Sequence, residues 1–395
     1  MKNGWPARRL DEVCRIKPPK SEARGKISAN GLVSFLPMED MGIDQEYVRP
    51  TQSKPLSSVM GSYTYFADGD VLLAKITPCF ENGKLGIAEK LTNGIGFGSS
   101  EYIVFRPDKT LSKEWLYYYL SRETFRVEGA ERMSGAVGHK RVSKEFIESY
   151  PIPVPPLPEQ QRIVGILDEA FEGLATAKVN TEKNFRNART LFESYLQSVF
   201  TQRGKGWVER KLADVCDFQG GSQPPKSKFS YQAQNGYVRF LQIRDFKSDK
   251  HITFIPQSSK NRLCKSEDIL IARYGASVGQ ILTGKAGSYN VALIRTIPDS
   301  KVLDRTFFYL YLRSEVFQKR LMSVADRSAQ NGFSKDDIAP FPVPLPSREE
   351  QERIVTEVEA LSAKTQRLES IYQRKLASLD ELKKSLLHQA FTGQL

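Results

Sequence analysis

Apolar positions along this chain follow two rhythms, and each rhythm occurs twice. Short runs such as VLLA at 71–74 and YIVF at 102–105, bounded by Gly, Asp and Pro, predict buried strands, and ILIA at 269–272 repeats the first of them. WLYYYL at 115–120, preceded by Ser112 as a candidate N-cap, predicts a helix, and FFYLYL at 307–312 echoes it. Elsewhere the apolar residues step by three and four. Ile163, Leu167, Ala170, Leu174 and Ala177, then Ala188, Leu191 and Tyr195, mark one long helix. Ile354, Val358, Leu361, Leu368, Tyr372, Leu379, Leu382 and Leu386 mark a second. Heptad spacing held over about six heptads predicts a seam that needs a partner helix. At ~1.5 Å per residue each helix spans roughly 60 Å, too long to be covered by one globular body of ~150 residues. The two helices pairing with each other is the economical solution.

The duplication is explicit in the residues. SKEFIESYPIPVPPLPEQQRIV at 143–164 returns as SKDDIAPFPVPLPSREEQERIV at 334–355, and RLDEVC at 9–14 returns as KLADVC at 211–216. A period near half the chain is too long for a solenoid repeat, so one module of globular part plus helix occurs twice. The proline-rich stretches at 151–158 and 340–346 predict extended, stiff joints between globular part and helix. The expected organisation is a mixed α/β domain at 1–156, a helix at 157–203, a second α/β domain at 204–346 and a second helix at 347–395.

Charge separates the two kinds of element. The chain carries 58 basic and 46 acidic residues, net +12. Residues 159–200 hold five basic and six acidic, and residues 347–395 hold eight of each. The rest carries 45 basic and 32 acidic residues, so the positive excess lies in the globular parts, as expected of surfaces that face a polyanion. Cys14, Cys79, Cys216 and Cys264 form no CxxC pair, mean hydropathy is negative and no apolar run reaches the length of a membrane span. The first residues, MKNGWPARRL, contain no apolar segment of signal-peptide type. These features predict a cytoplasmic protein with reduced thiols and no membrane association.

Catalytic constellations are missing from the sequence. GQILTGKA at 279–286 approaches a phosphate-binding loop, but Ala286 stands where a hydroxyl would hold magnesium, and a turn between strands is the better reading. His139, His251 and His388 have no metal-ligand spacing, and neither a nucleophile elbow nor a dinucleotide fingerprint is present. The chain is expected to bind rather than catalyse, without a cofactor or metal of its own.

The PIPVPPLPEQQRIV element before a long helix, used twice, resembles the specificity (S) subunit of type I restriction–modification systems. So do VRFLQIRDF at 238–246, DILIARYG at 268–275 and GDVLLAKIT at 69–77. The resemblance runs nearly end to end; the second copy departs from it only at Ser347, Arg348 and Glu349. It implies two target recognition domains, each followed by a helix, with the helices packed antiparallel as a spacer and the whole pseudo-twofold symmetric. Each domain then reads one half of a split sequence in double-stranded DNA. The resemblance further implies two methyltransferase (M) subunits gripping this chain and restriction (R) subunits joining through them. S-adenosylmethionine belongs on M, and ATP and magnesium on R. A stiff spacer suits that role because half-sites on one face of B-DNA recur every ~34–36 Å, and two rigidly joined readers gain in effective concentration.

DNA-facing candidates are polar residues at strand ends and in loops. Arg244 and Arg273 can fork onto guanine or a phosphate, Gln330 and Asn331 can pair with adenine, and Tyr274 can stack or touch a phosphate. Matching places in the first module hold Lys75 and Thr77, and the loop with His139, Lys140 and Arg141 lies opposite residues 329–332. Lys84, Ser99 and Ser100 complete the set, and the spacer seam is expected from Ile163, Leu167, Leu174, Leu191, Ile354, Val358, Leu361, Leu368, Leu379 and Leu386. The competing reading is a coiled-coil scaffold whose globular ends bind proteins, or nucleic acid without sequence preference; it gives no reason to concentrate positive charge on those ends.

Overall fold

In a computed structural model, which describes residues 4–136, 138–202, 204–326 and 332–395, the chain forms two compact units. One comprises Met1–Glu182 with Arg374–Leu395, the other Lys183–Gln373. The first unit contains β1 (Ala7–Arg9), β2 (Cys14–Ile16), β3 (Leu32–Leu36), β4 (Tyr47–Val48), β5 (Gln52–Pro55), β6 (Thr64–Ala67), β7 (Val71–Ala74), β8 (Leu85–Ala88), β9 (Ile95–Gly98), β10 (Tyr102–Pro107) and β11 (Pro151–Pro153). They build a sheet ordered β2-β10-β7-β8-β4, a second ordered β5-β3-β9-β6, and the ribbon β1-β11.

The second unit repeats this plan with β12 (Val208–Lys211), β13 (Cys216–Gly220), β14 (Tyr237–Leu241), β15 (Phe254–Pro256), β16 (Leu263–Cys264), β17 (Leu270–Ala272), β18 (Ile281–Leu282), β19 (Gly287–Tyr289), β20 (Leu293–Pro298) and β21 (Pro342–Leu345). Its sheets run β13-β20-β17-β18 and β15-β14-β19-β16, with the ribbon β12-β21. In each unit the central pair of the second sheet, β3 with β9 or β14 with β19, is parallel. The fold is therefore two α/β domains, each followed by a long helix.

The two sequence echoes of each module turn out to be one joint. The proline stretch does more than space the domain from the helix: Pro151, Ile152 and Pro153 pair antiparallel with Arg9, Arg8 and Ala7. Prolines can occupy such a ribbon because an edge strand does not require their missing N–H. Leu10 N–H donates to the Tyr150 carbonyl, and Leu212 N–H donates to that of Phe341. The start and end of each module thus close on each other.

A buried glutamine fastens each joint to its helix. Gln160 accepts from Ser112 N–H (2.8 Å) and donates to the Thr110 and Pro155 carbonyls (2.8 Å each). Gln351 accepts from Asp304 N–H (2.7 Å) and donates to the Val302 and Pro346 carbonyls (2.9 and 3.1 Å). Both amides are fully buried and use one acceptor and two donors, which offsets the cost of burying them. The repeated Glu-Gln is thereby explained as architecture. Ser112 caps the helix Lys113–Leu120 by accepting from Trp115 N–H, as its position predicts, and Asp304 caps the equivalent helix Arg305–Arg313.

The long helices are Leu157–Thr201 and Arg348–Thr392. In the first unit Arg162 reaches the Leu395 carbonyl (2.8 Å) and Lys178 pairs with Asp380 (3.1 Å). In the second unit Arg189 pairs with Glu369, and the Tyr195 hydroxyl donates to Glu357 (2.6 Å). Numbers rise on one helix as they fall on the other, so the packing is antiparallel.

The seam differs from the leucine heptads in three places. Leu191 is 64% exposed, Leu382 46% and Leu368 41%. A straight helix drifts ~20° per heptad from a strict seven-residue repeat. Leu191 lies four heptads beyond Ile163 and Leu382 four beyond Ile354, enough to rotate both out; at Leu368, only two heptads along, Thr365 takes the buried place instead. Thr181, Ala188 and Thr365 are buried instead, and Leu174, Leu361, Leu379 and Leu386 are partly buried. Ile163 and Leu167 join the hydrophobic cluster of the first unit, and Ile354 and Val358 that of the second.

The ends of the helices complete the cores. Leu387, Ala390 and Phe391 lie in the first unit's cluster, and Leu196 and Phe200 in the second's. Phe391 meets Trp115 edge-on at 4.4 Å between ring centroids, and Phe200 meets Phe307 at 5.4 Å.

A titrating carboxyl sits in the first unit. Glu46 has one oxygen buried without a hydrogen-bond partner, and its other oxygen lies 3.4 Å from the Tyr118 hydroxyl, which donates to Asp168 (2.5 Å). Burial, aided by the charges of Asp168 and Glu114, pushes its pKa up to about 7. A carboxyl raised above its unfolded value stabilises the fold while protonated, and that contribution is lost as pH rises through about 7. Glu46→Gln should therefore gain about 1–2 kcal/mol on the wild type between pH ~5 and ~8, solvent screening included. Urea midpoints of both proteins across that range check this; parallel profiles would refute it.

Candidate nucleic-acid interface

In the first unit the ends of β2 and β7, the start of β10 and the segment 141–148 enclose a cleft of about 580 Å³. Its lining includes Lys17, Lys20, Lys75, Arg141 and Lys144, with Glu148 the acidic member, and Tyr63, Tyr65 and Tyr102 supply aromatic surface. Three residues singled out by sequence, Lys75, Ser100 and Arg141, thus come together in one place.

The cleft is held by a small network. Lys75 Nζ donates to the Ser100 carbonyl (3.1 Å) and lies 3.9 Å from the Glu101 carboxylate. Ser99 Oγ accepts from Glu101 N–H (3.2 Å), shaping the turn into β10. Arg141 grips Glu101 through Nε (2.9 Å) and Nη2 (2.7 Å). Those bonds hold the Glu101 carboxyl below the usual carboxylate range and raise the Arg141 pKa. The loop carrying Arg141 is pinned to the strand end: Arg141 bridges to Ile76 and Ser134, Thr77 N–H donates to the Lys140 carbonyl, and Val142 N–H to that of Lys75.

The remaining candidates of the first module are placed differently. His139 and Lys140 are exposed on the loop. The Thr77 hydroxyl donates to Glu81 (2.9 Å). Lys84 Nζ donates to the Met38 carbonyl (2.7 Å), so that ammonium is committed to the protein.

The second unit builds the same strand end with other residues. Tyr274 bridges to Gly332 as Ile76 does to Arg141, which supports the alignment of loop 138–141 with 329–332. Arg273 donates from Nε to the Phe333 carbonyl (3.0 Å), and its guanidinium lies 5.0 Å from the Tyr274 ring. Arg244 is exposed in the turn Ile243–Phe246, without a side-chain partner among the described residues. Gln330 and Asn331 lie outside the described residues.

Sequence reasoning passed over Glu101, Lys17, Lys20 and Lys144. Lys17 and Lys20 follow β2 in the KPPK segment, and only their meeting with residues 141–148 gives them a common purpose. An acid such as Glu101 has no signature that marks it for a site facing a polyanion.

The segment resembling a phosphate-binding loop contains β18 and the turn from it into β19, opens no helix, and has Lys285 paired with Asp249 (2.6 Å). Among the described residues no cluster of His, Cys, Asp or Glu suits a metal, and no helix is long and apolar enough to cross a membrane. All four cysteines are free thiols.

Comparison with known proteins agrees with this architecture. The model of the type I restriction modification DNA specificity domain matches twice, at residues 2–183 and 204–375. The EcoEI type I restriction enzyme specificity subunit of Escherichia coli is 39% identical over 163 residues, covering 41% of this chain but only 27% of that protein. Among solved structures, the HsdS subunit from Thermoanaerobacter tengcongensis superposes with a TM-score of 0.70 at 21% identity, covering 100% of this chain and 98% of that one. A chain of a type I R-M system, solved for its complex assembly and conformational transition, gives 0.81 at 22% identity over 100% and 99%. With both modules matched, this chain belongs to the DNA specificity family of type I restriction–modification systems.

Proposed function

We propose that this chain reads a bipartite target in double-stranded DNA, one half-site per α/β domain, and delivers partner enzymes to it. The observation that carries the reading is the cation-lined cleft at the end of β7 and the start of β10, built on a strand end that the second unit repeats with Arg273. Lysines and arginines at such a place neutralise phosphates, and base edges are read by forked or bidentate side chains beside them. His139, Lys140, Arg141, Arg244, Arg273, Tyr274, Gln330 and Asn331 are the contacts on this reading, with Lys75, Ser99 and Ser100 shaping the first site.

Two methyltransferase subunits bind the chain, and restriction subunits join through them. S-adenosylmethionine resides on the former and ATP with magnesium on the latter, so this subunit supplies recognition and no chemistry. It acts in the cytoplasm, where the DNA is. The antiparallel helices serve as the spacer that converts their length into half-site separation.

Exchanging residues 206–340 for those of another family member tests the division of labour. Sequencing the methylated sites of cells that carry the hybrid and its methyltransferase should show one half of the motif changed and the other kept. A motif changed in both halves, or in neither, would overturn the assignment.

A further inference from the structure

Glu101 places a negative charge beside a cleft lined mainly by cations, against two of them, and its surroundings show what that charge does. The Glu101 side chain is 21% exposed and Arg141 45%, so the carboxylate is largely covered while the guanidinium is presented. Arg141 spends Nε–H and one Nη2–H on Glu101 and one Nη1–H on the His139 carbonyl (3.0 Å). A guanidinium has five N–H donors, so one remains on each terminal nitrogen. Two N–H groups on one rigid plane match two neighbouring acceptors, as on the O6/N7 edge of guanine. The backbone of Arg141 is bridged on both sides, to Ile76 and to Ser134, so the side chain starts from a fixed base.

The second unit solves the same problem with other residues. Arg273 N–H donates to the Ala292 carbonyl as Lys75 N–H does to that of Glu101, and Gly332 takes the place of Arg141. Lysine, glutamate and arginine in one copy therefore correspond to arginine, alanine and glycine in the other. Both sets sum to one positive charge. The second copy carries its guanidinium on the strand end, braced by the Phe333 carbonyl, and Ala292 stands where the first copy has Glu101. In the first copy the arginine stands on a loop, and Glu101 supplies the brace that the Phe333 carbonyl supplies in the second.

The geometry points to Glu101 as the positioning residue that orients Arg141 toward a guanine in the half-site read by the first domain. This rests on the proposal that the cleft takes duplex DNA. Glu101 sets specificity rather than affinity: it removes a positive charge from the cleft, yet it fixes the direction of the two N–H groups that remain. Holding the donors in place before binding lowers the ordering cost of the correct contact.

Selection of the full chain against a pool of randomised DNA duplexes tests this. The wild type should enrich a bipartite motif with a G·C pair at one position of the first domain's half-site. Glu101→Ala should lower the preference for that pair by roughly tenfold, the low end of what a bidentate base contact supplies. All other positions should stay as they were, and total duplex bound should be equal or greater. Glu101→Gln, which keeps the shape and one acceptor, should lie between the two and covers the case that the alanine variant folds poorly. A merely structural role would weaken binding without changing the preference at one position. Enrichment of an unchanged motif by both variants overturns this inference alone. A wild type that enriches no motif overturns the DNA reading and this inference with it.

Discussion

Phe391→Ala is expected to destabilise the first unit by about 3–5 kcal/mol and to leave the second unit unchanged. Phe391 lies 224 residues or more along the chain from every buried member of the core it fills outside its own helix, yet it is only 5% exposed there. Its ring meets Trp115 at 4.4 Å and Tyr119 at 4.9 Å, and the Arg122 guanidinium lies 5.4 Å from its centroid. Removing the ring loses its transfer free energy and leaves a cavity bounded by aromatic groups that cannot collapse into it. Trp5 and Trp115 report on the first unit and Trp207 on the second, so tryptophan fluorescence during denaturation separates the two transitions. Phe200→Ala is the mirror experiment, since Phe200 packs on Phe307 and Tyr311 in the second unit. An equal loss in both units, or none in either, would refute the assignment of each helix end to its core.

Duplex binding by the full chain should fall by about 500-fold between ~50 and ~200 mM salt if about five phosphates are neutralised, because each contact releases bound counterions. The five cations lining the first unit's cleft set the scale of that number. Lys144 is highly exposed and only loosely paired with Glu148 at 3.3 Å. Lys144→Ala should therefore reduce the slope of log K against log salt by about one without altering which sequences are preferred. Fluorescence anisotropy of a labelled duplex over a salt series measures both quantities. A flat dependence would count against a phosphate-lined interface, and a changed sequence preference would move Lys144 from backbone contact to base contact.

Several features were plain in the residues because their causes are local. The run VLLA is a strand that is buried throughout, the serine before WLYYYL caps its helix, and the proline-free heptads are long helices. The candidate site was legible in part. Lys75, Ser100 and Arg141 were marked by their place at strand ends and in a loop that differs between copies, and they line one cleft. Glu101 was not marked, because its role depends on an arginine 40 residues away. Lys84 looked available but is held by a carbonyl on another segment.

The heptad reading shows where periodicity runs out. Over two or three heptads a seven-residue repeat and a 3.6-residue helix agree; over four they part by most of a right angle. Leu191 and Leu382, each four heptads along its helix, fit the pattern and still face solvent, while Thr181 and Ala188 fill the interface.

Duplication, fold class, charge placement and the absence of catalytic motifs were all contained in the order of residues, since each depends on spacing along the chain or on composition. The folded chain alone decided which distant segments meet. It closed each module by pairing β1 with β11 and β12 with β21, set buried glutamines between a helix start and a capped turn, and sent Phe391 into the first unit's core. It also placed Glu101 against Arg141. Burial and hydrogen bonding act through space, and a one-dimensional pattern records them only where neighbours in space are also neighbours in sequence.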